Sequence, residues 1–278
     1  MKAPRAVDVS AALLRRWRLP QPDDGAGKDG RGRVLIVAGS VATPGSALLA
    51  VDAALRAGAG RVTLATEKGI ALALAIAAPE ARVIAITELR AGEFDADCVL
   101  IGPGMRESPA LVRRVLREGA DTKLILDACA MNVLLRRTRG LAGQVLITPH
   151  PGELAHLKLG LRPAIEREPE RYAARAAQRW GVTVALKNAT TIIVGVDGRR
   201  WRHRGGNPGL GVSGSGDVLA GIIAGLAARG ASLEQAAAWG VALHARAGDA
   251  LARRVGPLGY FARELGAEVP RLMRRAGN

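Results

Sequence analysis

Short apolar runs alternate with helix-compatible segments along most of this 278-residue chain, and that alternation constrains the fold more than any single motif. The runs are RVLIV at 33–37, RVTLAT at 61–66, ARVIAI at 81–86, DCVLIG at 97–102, KLILDA at 123–128, QVLITP at 144–149 and VTVALK at 182–187. Most are apolar at consecutive positions and rich in β-branched residues, as a strand buried on both faces must be. Between them TPGSALLAVDAALRAGAG (43–60), Lys68–Ala77, Glu107–Glu118, a short stretch to Arg136 and the charged Glu166–Trp180 read as helices. Strand, helix, strand, repeated, gives a mostly parallel central sheet with helices on both faces. Further on, TIIVGV (191–196) and RRWRHR (199–204) flank Asp197-Gly198, a hairpin turn signal that adds an antiparallel edge hairpin. The expectation is one α/β domain over 33–278. Ahead of it, 1–32 reads as an arm or helix followed by the linker LPQPDDGAGKDGRG.

After the hairpin comes GGNPGLGVSGSGDVLAGIIAGLAARG, residues 205–230. Gly205, Gly206, Gly209, Gly211, Gly214 and Gly216 precede Asp217, and an apolar helical run follows from Val218. A glycine loop leaves backbone N–H groups unshielded, and a helix start adds more of them at the positive end of its dipole. Together they bind anions, phosphate above all. A carboxylate at such a mouth opposes simple anion binding. Asp217 therefore reads as a base that takes a proton from an attacking hydroxyl, as the N-cap of the next helix, or as both at once. Residues 209–214 match GxGxxG, but they lie ahead of a helical C-terminus (218–229, about 232–252, then a weaker region with Pro270) rather than after a first strand. That context argues against a dinucleotide fold, and the missing GK[ST] excludes a Walker A loop. Gly221 and Gly225 read as a close helix-packing face.

The least structural-looking residues fall at strand exits: Ala38-Gly39-Ser40, GPGM at 102–105, Asp127-Ala128-Cys129, TPHPGE at 148–153 and LKNATT at 186–191. In a parallel sheet these exits share one edge, where ligands bind. Lys187 there meets phosphate charge or merely snorkels. His150, held between Pro149 and Pro151, contacts a ligand or is structural. Glu153 caps or charges the following helix start. Asp127 orients a metal–phosphate group or satisfies its loop, and Cys129 is a small filler with no base beside it.

The net charge of +15 raises nucleic acid as a partner, but the arginine pairs are dispersed and aromatics are 3% of residues, so the footprint of a nucleic-acid interface is missing. Two cysteines form no disulfide framework or metal spacing, which points to a reducing, cytoplasmic setting. No signal peptide and no apolar stretch long enough for a bilayer is visible, so a membrane partner is not expected.

On these motifs the chain resembles the ADP- or ATP-dependent NAD(P)H-hydrate dehydratases, a family of ribokinase-like fold. GRVLIVAGS…TPGSALLA, ALRAGAGRVTLAT, IGPGM, ITPHPGE, LKNATTIIV, GNPGLGVSGSGDVLAGIIAGLAARG and LHARAGD stand in family order from about Lys28. The resemblance implies repair of hydrated NADH and NADPH: a nucleotide, ADP in bacterial members of this type, phosphorylates the added ring hydroxyl, and loss of phosphate restores the double bond. It implies that Asp217 is the base and that the N–H groups of Gly214, Ser215 and Gly216 hold the phosphate. Lys187, Asn188, Ala189, Thr190, Thr191 and Gly216 would contact the adenine nucleotide. Ala47, Gly104 and His150 would join Asp217 in touching the hydrated dinucleotide. Magnesium with the nucleotide and a homo-oligomer are implied as well. LDACAMNVL departs from the family's LDADALN at Cys129, and Asn188 replaces a usual glycine, which raises the question of its backbone. No epimerase domain is expected ahead of residue 28. A ribokinase-like kinase of a small alcohol, and a non-catalytic nucleotide or nucleic-acid binder, are the competing readings.

Overall fold

Side chains alternate along the inner strands, and both sides are apolar. Val34, Ile36, Val62, Leu64, Cys98 and Leu100 enter one core layer, while Leu35, Val37, Ala65, Val99 and Ile101 enter a second. The computed structural model describes residues 6–23, 25, 27–136, 140–141 and 144–276. Its strands are β1 (Val7–Asp8), β2 (Arg33–Val37), β3 (Arg61–Thr66), β4 (Ala81–Ala85), β5 (Cys98–Ile101), β6 (Lys123–Leu126), β7 (Val145–Ile147), β8 (Thr183–Leu186), β9 (Thr190–Val194) and β10 (Arg200–Arg204). They form one sheet in the order β1-β10-β9-β8-β7-β6-β5-β2-β3-β4. Every pairing from β8 through to β4 is parallel, and β9 is antiparallel to both β8 and β10. This is the mostly parallel α/β sheet, with its antiparallel hairpin, that the alternation predicts.

The helices are α1 (Ala11–Arg16), α2 (Pro44–Arg56), α3 (Ala71–Ala77), α4 (Pro109–Glu118), α5 (Pro151–His156), α6 (Arg162–Arg167), α7 (Pro169–Trp180), α8 (Ser215–Ala228), α9 (Leu233–Arg254) and α10 (Ala262–Arg275). Helices α2, α8, α9 and α10 supply the first core layer, and α4 to α7 the second. Among the described residues no helix is long and apolar enough to cross a membrane.

Four details differ from the sequence reading. The hairpin is not the sheet edge, because β1 pairs in parallel with β10 outside it. The segment before residue 33 also contributes to the core: Leu14 and Leu19 are buried, and Trp239 Nε1 and Gln235 Nε2 donate at 2.7 Å to the carbonyls of Trp17 and Arg18. The helix expected over Glu166–Trp180 is two helices. Pro169 drives Glu168 out of the helical region (φ −126°, ψ 54°), which ends α6 and starts α7. Finally, α8 begins at Ser215, three residues ahead of the expected Val218, with Gly214 as its left-handed N-cap (φ 87°).

The glycine pair in α8 does set a close helix contact. A Cβ on Gly221 would stand 2.4 Å from the Ala50 carbonyl oxygen, and one on Gly225 would stand 2.4 Å from that of Ala54. Helix α8 therefore lies almost backbone to backbone on α2, which locates Asp217 relative to Ser46. Gly221→Ala is expected to cost about 1–3 kcal/mol through overpacking, despite its better helix propensity. Urea denaturation checks this; an unchanged midpoint would show that the two helices can separate freely.

Candidate active site

The chain runs from β2 outward to β3 and β4 and then crosses back to β5 on the other side of β2, so the sheet order reverses between β2 and β5. A crevice opens at the carboxyl ends of such a pair. The Gly39 amide donates to the Pro103 carbonyl at 2.8 Å and ties the two exits together. Thr43 Oγ1 donates to the Gly104 carbonyl at 2.7 Å, which brings the start of α2 against the β5 exit. Gly104 needs its glycine: φ is 61°, and a Cβ would meet Ser46 Cβ at 2.5 Å.

Asp217 faces this crevice from the third position of α8. Gly214 is the N-cap, so the cap reading of Asp217 gives way to a first-turn carboxylate that accepts from the Ser46 hydroxyl. Burial pushes its carboxyl up to about 6. The Ser46 hydroxyl and the Lys187 ammonium pull it back, and the charge of Asp127 adds to the rise. A carboxylate in that range is ionised at neutral pH yet basic enough to take a proton.

Lys187 turns inward rather than snorkelling. Its Nζ is 3.2 Å from Asp127 Oδ1, and Thr148 Oγ1 donates to the same oxygen at 2.6 Å. Asp127 is buried and sits at the β6 exit. Burial opposes the Lys187 charge, but Asp127, Glu153 and Asp217 outweigh it and hold the ammonium above its usual basicity. A Cβ on Gly216 would stand 3.5 Å from Lys187 Nζ, so the ammonium hangs directly over the start of α8.

Around this point lies a cavity of about 650 Å³. Lys187, Asn188, Ala189 and Thr191 line one side, Ser215 and Gly216 the floor, and Leu210, Val212, Leu219 and Val241 an apolar wall. Thr190 is not part of that lining, since the first position of β9 alternates away from it. The only described non-glycine residues with left-handed φ are Ala128 and Lys158, so Asn188 replaces glycine without backbone strain. Its Oδ1 instead accepts from the Ala189 amide at 2.9 Å.

His150 lines the same cavity and caps α5. Its Nδ1 accepts from the amides of Gly152 (3.0 Å) and Glu153 (3.3 Å), while Glu153 Oε2 accepts from the His150 amide at 2.7 Å. The ring proton therefore sits on Nε2, which lies 3.6 Å from Glu153 Oε2. Ala47 is fully enclosed in the first turn of α2 and only supports the crevice from behind. Cys129 Sγ lies 3.4 Å from the Met105 carbonyl, and burial raises its thiol, as suits a filler.

The cradle itself differs from its sequence reading at one residue. The Ser215 amide is engaged with the Val212 carbonyl at 3.2 Å, whereas the amides of Gly214, Gly216 and Asp217 have no partner among the described residues. Three contributors escaped the sequence reading: Ser46, His244, and Asn207 with its partners. Asn207 Oδ1 accepts from the Gly209 amide (3.0 Å) and Tyr260 Oη (2.9 Å), and its Nδ2 donates to Asp249 (3.2 Å), which pins the glycine loop. His244 and Asp249 both lie in LHARAGD, a block visible in the sequence whose individual contacts are not.

The NAD(P)H-hydrate dehydratase family model matches residues 34–271. The chain belongs to the NAD(P)H-hydrate dehydratase family. A member from Xanthomonas campestris, named ADP-dependent (S)-NAD(P)H-hydrate dehydratase, is 46% identical over 99% of both chains. Against the bifunctional NAD(P)H-hydrate repair enzymes, such as that of Moorella thermoacetica at 38% identity, this dehydratase-family chain spans 52% of the relative's length. The solved ADP/ATP-dependent NAD(P)H-hydrate dehydratase of Bacillus subtilis, co-crystallised with ATP and Mg²⁺, superposes with a TM-score of 0.87 at 28% identity, covering 99% of each chain. A ribokinase-like superfamily protein from Enterococcus faecalis also reaches 0.87 at 28% identity over 98% of this chain and 96% of its own, which gives the family fold its name.

Proposed function

We propose that this chain restores hydrated NADH and NADPH to NADH and NADPH at the expense of a nucleotide phosphoanhydride, with ADP the expected donor. The observation that carries this reading is Asp217, half-buried and held near 6, at the mouth of a helix-start phosphate cradle under the Lys187 ammonium. Family membership and the Xanthomonas relative, named for ADP, support the substrate and the donor.

In the first stage Asp217 takes the proton of the ring hydroxyl as that oxygen attacks the terminal phosphoryl group of the nucleotide. The bond to the nucleotide's bridging oxygen breaks, and the departing charge faces Lys187. The amides of Gly214, Gly216 and Asp217 hold the transferring group. In the second stage the ring C–O bond breaks, phosphate leaves, and loss of a ring proton restores the double bond. Lys187, Asn188, Ala189 and Thr191 flank the nucleotide, while Gly104, His150 and the enclosed Ala47 belong to the substrate side.

The described residues hold no cluster of three or more metal-ligating side chains. Magnesium fits nonetheless, because it is commonly bound by one or two carboxylates plus substrate phosphates. Asp127 and Glu153, two carboxylates facing Lys187, are the groups that would hold it, and when bound it would neutralise phosphate charge. A homo-oligomer and a cytoplasmic setting complete the proposal, the latter supported by two free cysteines. Residues 33–278 would act as the catalytic domain, with Leu14 and Leu19 of the segment ahead of it buried against its core.

The test is to incubate the protein with hydrated NADH, Mg²⁺ and either ADP or ATP and to follow recovery of the reduced nicotinamide spectrum. Recovery with ADP exceeding that with ATP is expected. No recovery with either nucleotide, together with phosphate transfer to an added small alcohol, would favour the kinase reading instead.

A further inference from the structure

Ser215 opens α8 with its amide engaged elsewhere, so it can serve a bound phosphate only through its hydroxyl. The residue is 5% exposed, on the floor of the cavity. His244, on α9, faces it from below. His244 Nε2 is 3.0 Å from Ser215 Oγ and 3.0 Å from the Ser215 carbonyl oxygen. A carbonyl only accepts, so Nε2 carries the ring proton. At this contact the hydroxyl oxygen then receives, and its own hydrogen is left to point into the cavity. The other ring nitrogen, Nδ1, has no protein partner among the described residues and needs none as a neutral acceptor beside an open cavity. Burial holds the basicity of His244 down to about 4. The Ser215 carbonyl works against that fall and Lys187 adds to it, so the ring stays neutral where the protein would work.

We propose that His244 is a positioning residue for phosphoryl transfer: its Nε2–H anchors the Ser215 carbonyl and turns the Ser215 hydroxyl hydrogen toward the phosphate in transit. This rests on the dehydratase reading above and adds a residue to it. A donor aimed in advance at developing phosphate charge needs no reorganisation during reaction, which is where such groups gain their effect. Without the imidazole the hydroxyl is free to rotate and donate back to a nearby carbonyl.

The test is a double-mutant cycle in the full chain, with turnover of hydrated NADH measured at varied ADP. Ser215→Ala is expected to lower kcat on the order of 10²-fold, as for loss of one preorganised donor. His244→Ala should lower kcat roughly tenfold or more, with KM for ADP changed far less. His244→Gln keeps an amide N–H at similar reach and should recover most of the loss. Adding His244→Ala to Ser215→Ala should lower kcat no further, because the hydroxyl it orients is gone. Multiplicative losses in the double variant, or a glutamine variant no better than alanine, would overturn the proposal. A merely structural histidine would lower thermal stability and leave the losses multiplicative. Should the wild-type protein restore no NADH, the dehydratase reading fails separately. The same cycle read on the rate of phosphoryl transfer from the nucleotide to an added small alcohol or to water then decides the role of His244, with non-additivity supporting it and additivity refuting it.

Discussion

Asp217→Asn is expected to lower kcat by about 10²–10⁴-fold while ADP affinity stays the same or tightens. The amide keeps the shape of the carboxylate but cannot take the hydroxyl proton, and general-base catalysis is worth about that factor. Removing a negative charge from the phosphate cradle favours the nucleotide, hence the direction for affinity. The pH dependence follows from the raised carboxyl: wild-type turnover should climb as pH rises through about 6 and then level off, and the Asn variant should lose that limb. Stability moves the other way. Folding disfavours the ionised form, so the protein loses stability as pH rises from the unfolded value near 4 through about 6. The variant removes that cost and should be more stable at neutral pH by about 1–3 kcal/mol, since each pKa unit corresponds to about 1.4 kcal/mol. Steady-state kinetics and a thermal melt read both effects. A variant with near wild-type turnover would reduce Asp217 to a helix-terminus charge.

Lys187→Met is expected to damage binding, rate and stability together. The ammonium is both the cation above the start of α8 and the partner of the buried Asp127. With it gone, nucleotide KM should rise and kcat fall. Asp127 would keep only its side-chain bond from Thr148, and breaking such a pair from one side costs about 3–5 kcal/mol. Because folding raises the lysine's pKa, its stabilising contribution is complete at neutral pH and disappears only as the solution becomes alkaline enough to deprotonate the folded form. The stability difference between variant and wild type should therefore be flat around neutrality and shrink at strongly alkaline pH. Chemical denaturation across that range, beside kinetics in ADP, checks both halves; unchanged ADP kinetics would remove Lys187 from the nucleotide site.

Much of the architecture is legible in the sequence because its signals are local. Consecutive apolar residues in RVLIV mark a strand covered on both faces, and Asp197-Gly198 marks a tight turn wherever the hairpin ends up. The strand Val7–Asp8 leaves no such mark: two exposed residues show no periodicity, and they form a strand only because β10 offers them an edge. The start of α8 is hidden for a related reason. Ser213, Gly214 and Ser215 carry no apolar pattern, and only the left-handed φ of Gly214 shows where the helix begins.

The site divides in the same way. Gly214, Gly216, Asp217, Lys187 and His150 stand out in sequence because glycine, charge and proline flank one another there. Ser46 and His244 do not: each is an ordinary residue within a helix, and each gains its role from a neighbour far away in the chain, Asp217 for one and Ser215 for the other.

By itself the sequence determined the parallel α/β sheet, the family, the glycine cradle and the shared edge where the special residues meet. Only the tertiary structure decided that Asp217 is no cap, that Lys187 points at Asp127, that Asn188 needs no left-handed backbone, and that the Ser215 hydroxyl is held by His244. These are matters of which groups lose water and which partner replaces it, and partners brought together by long-range packing leave no trace in local spacing.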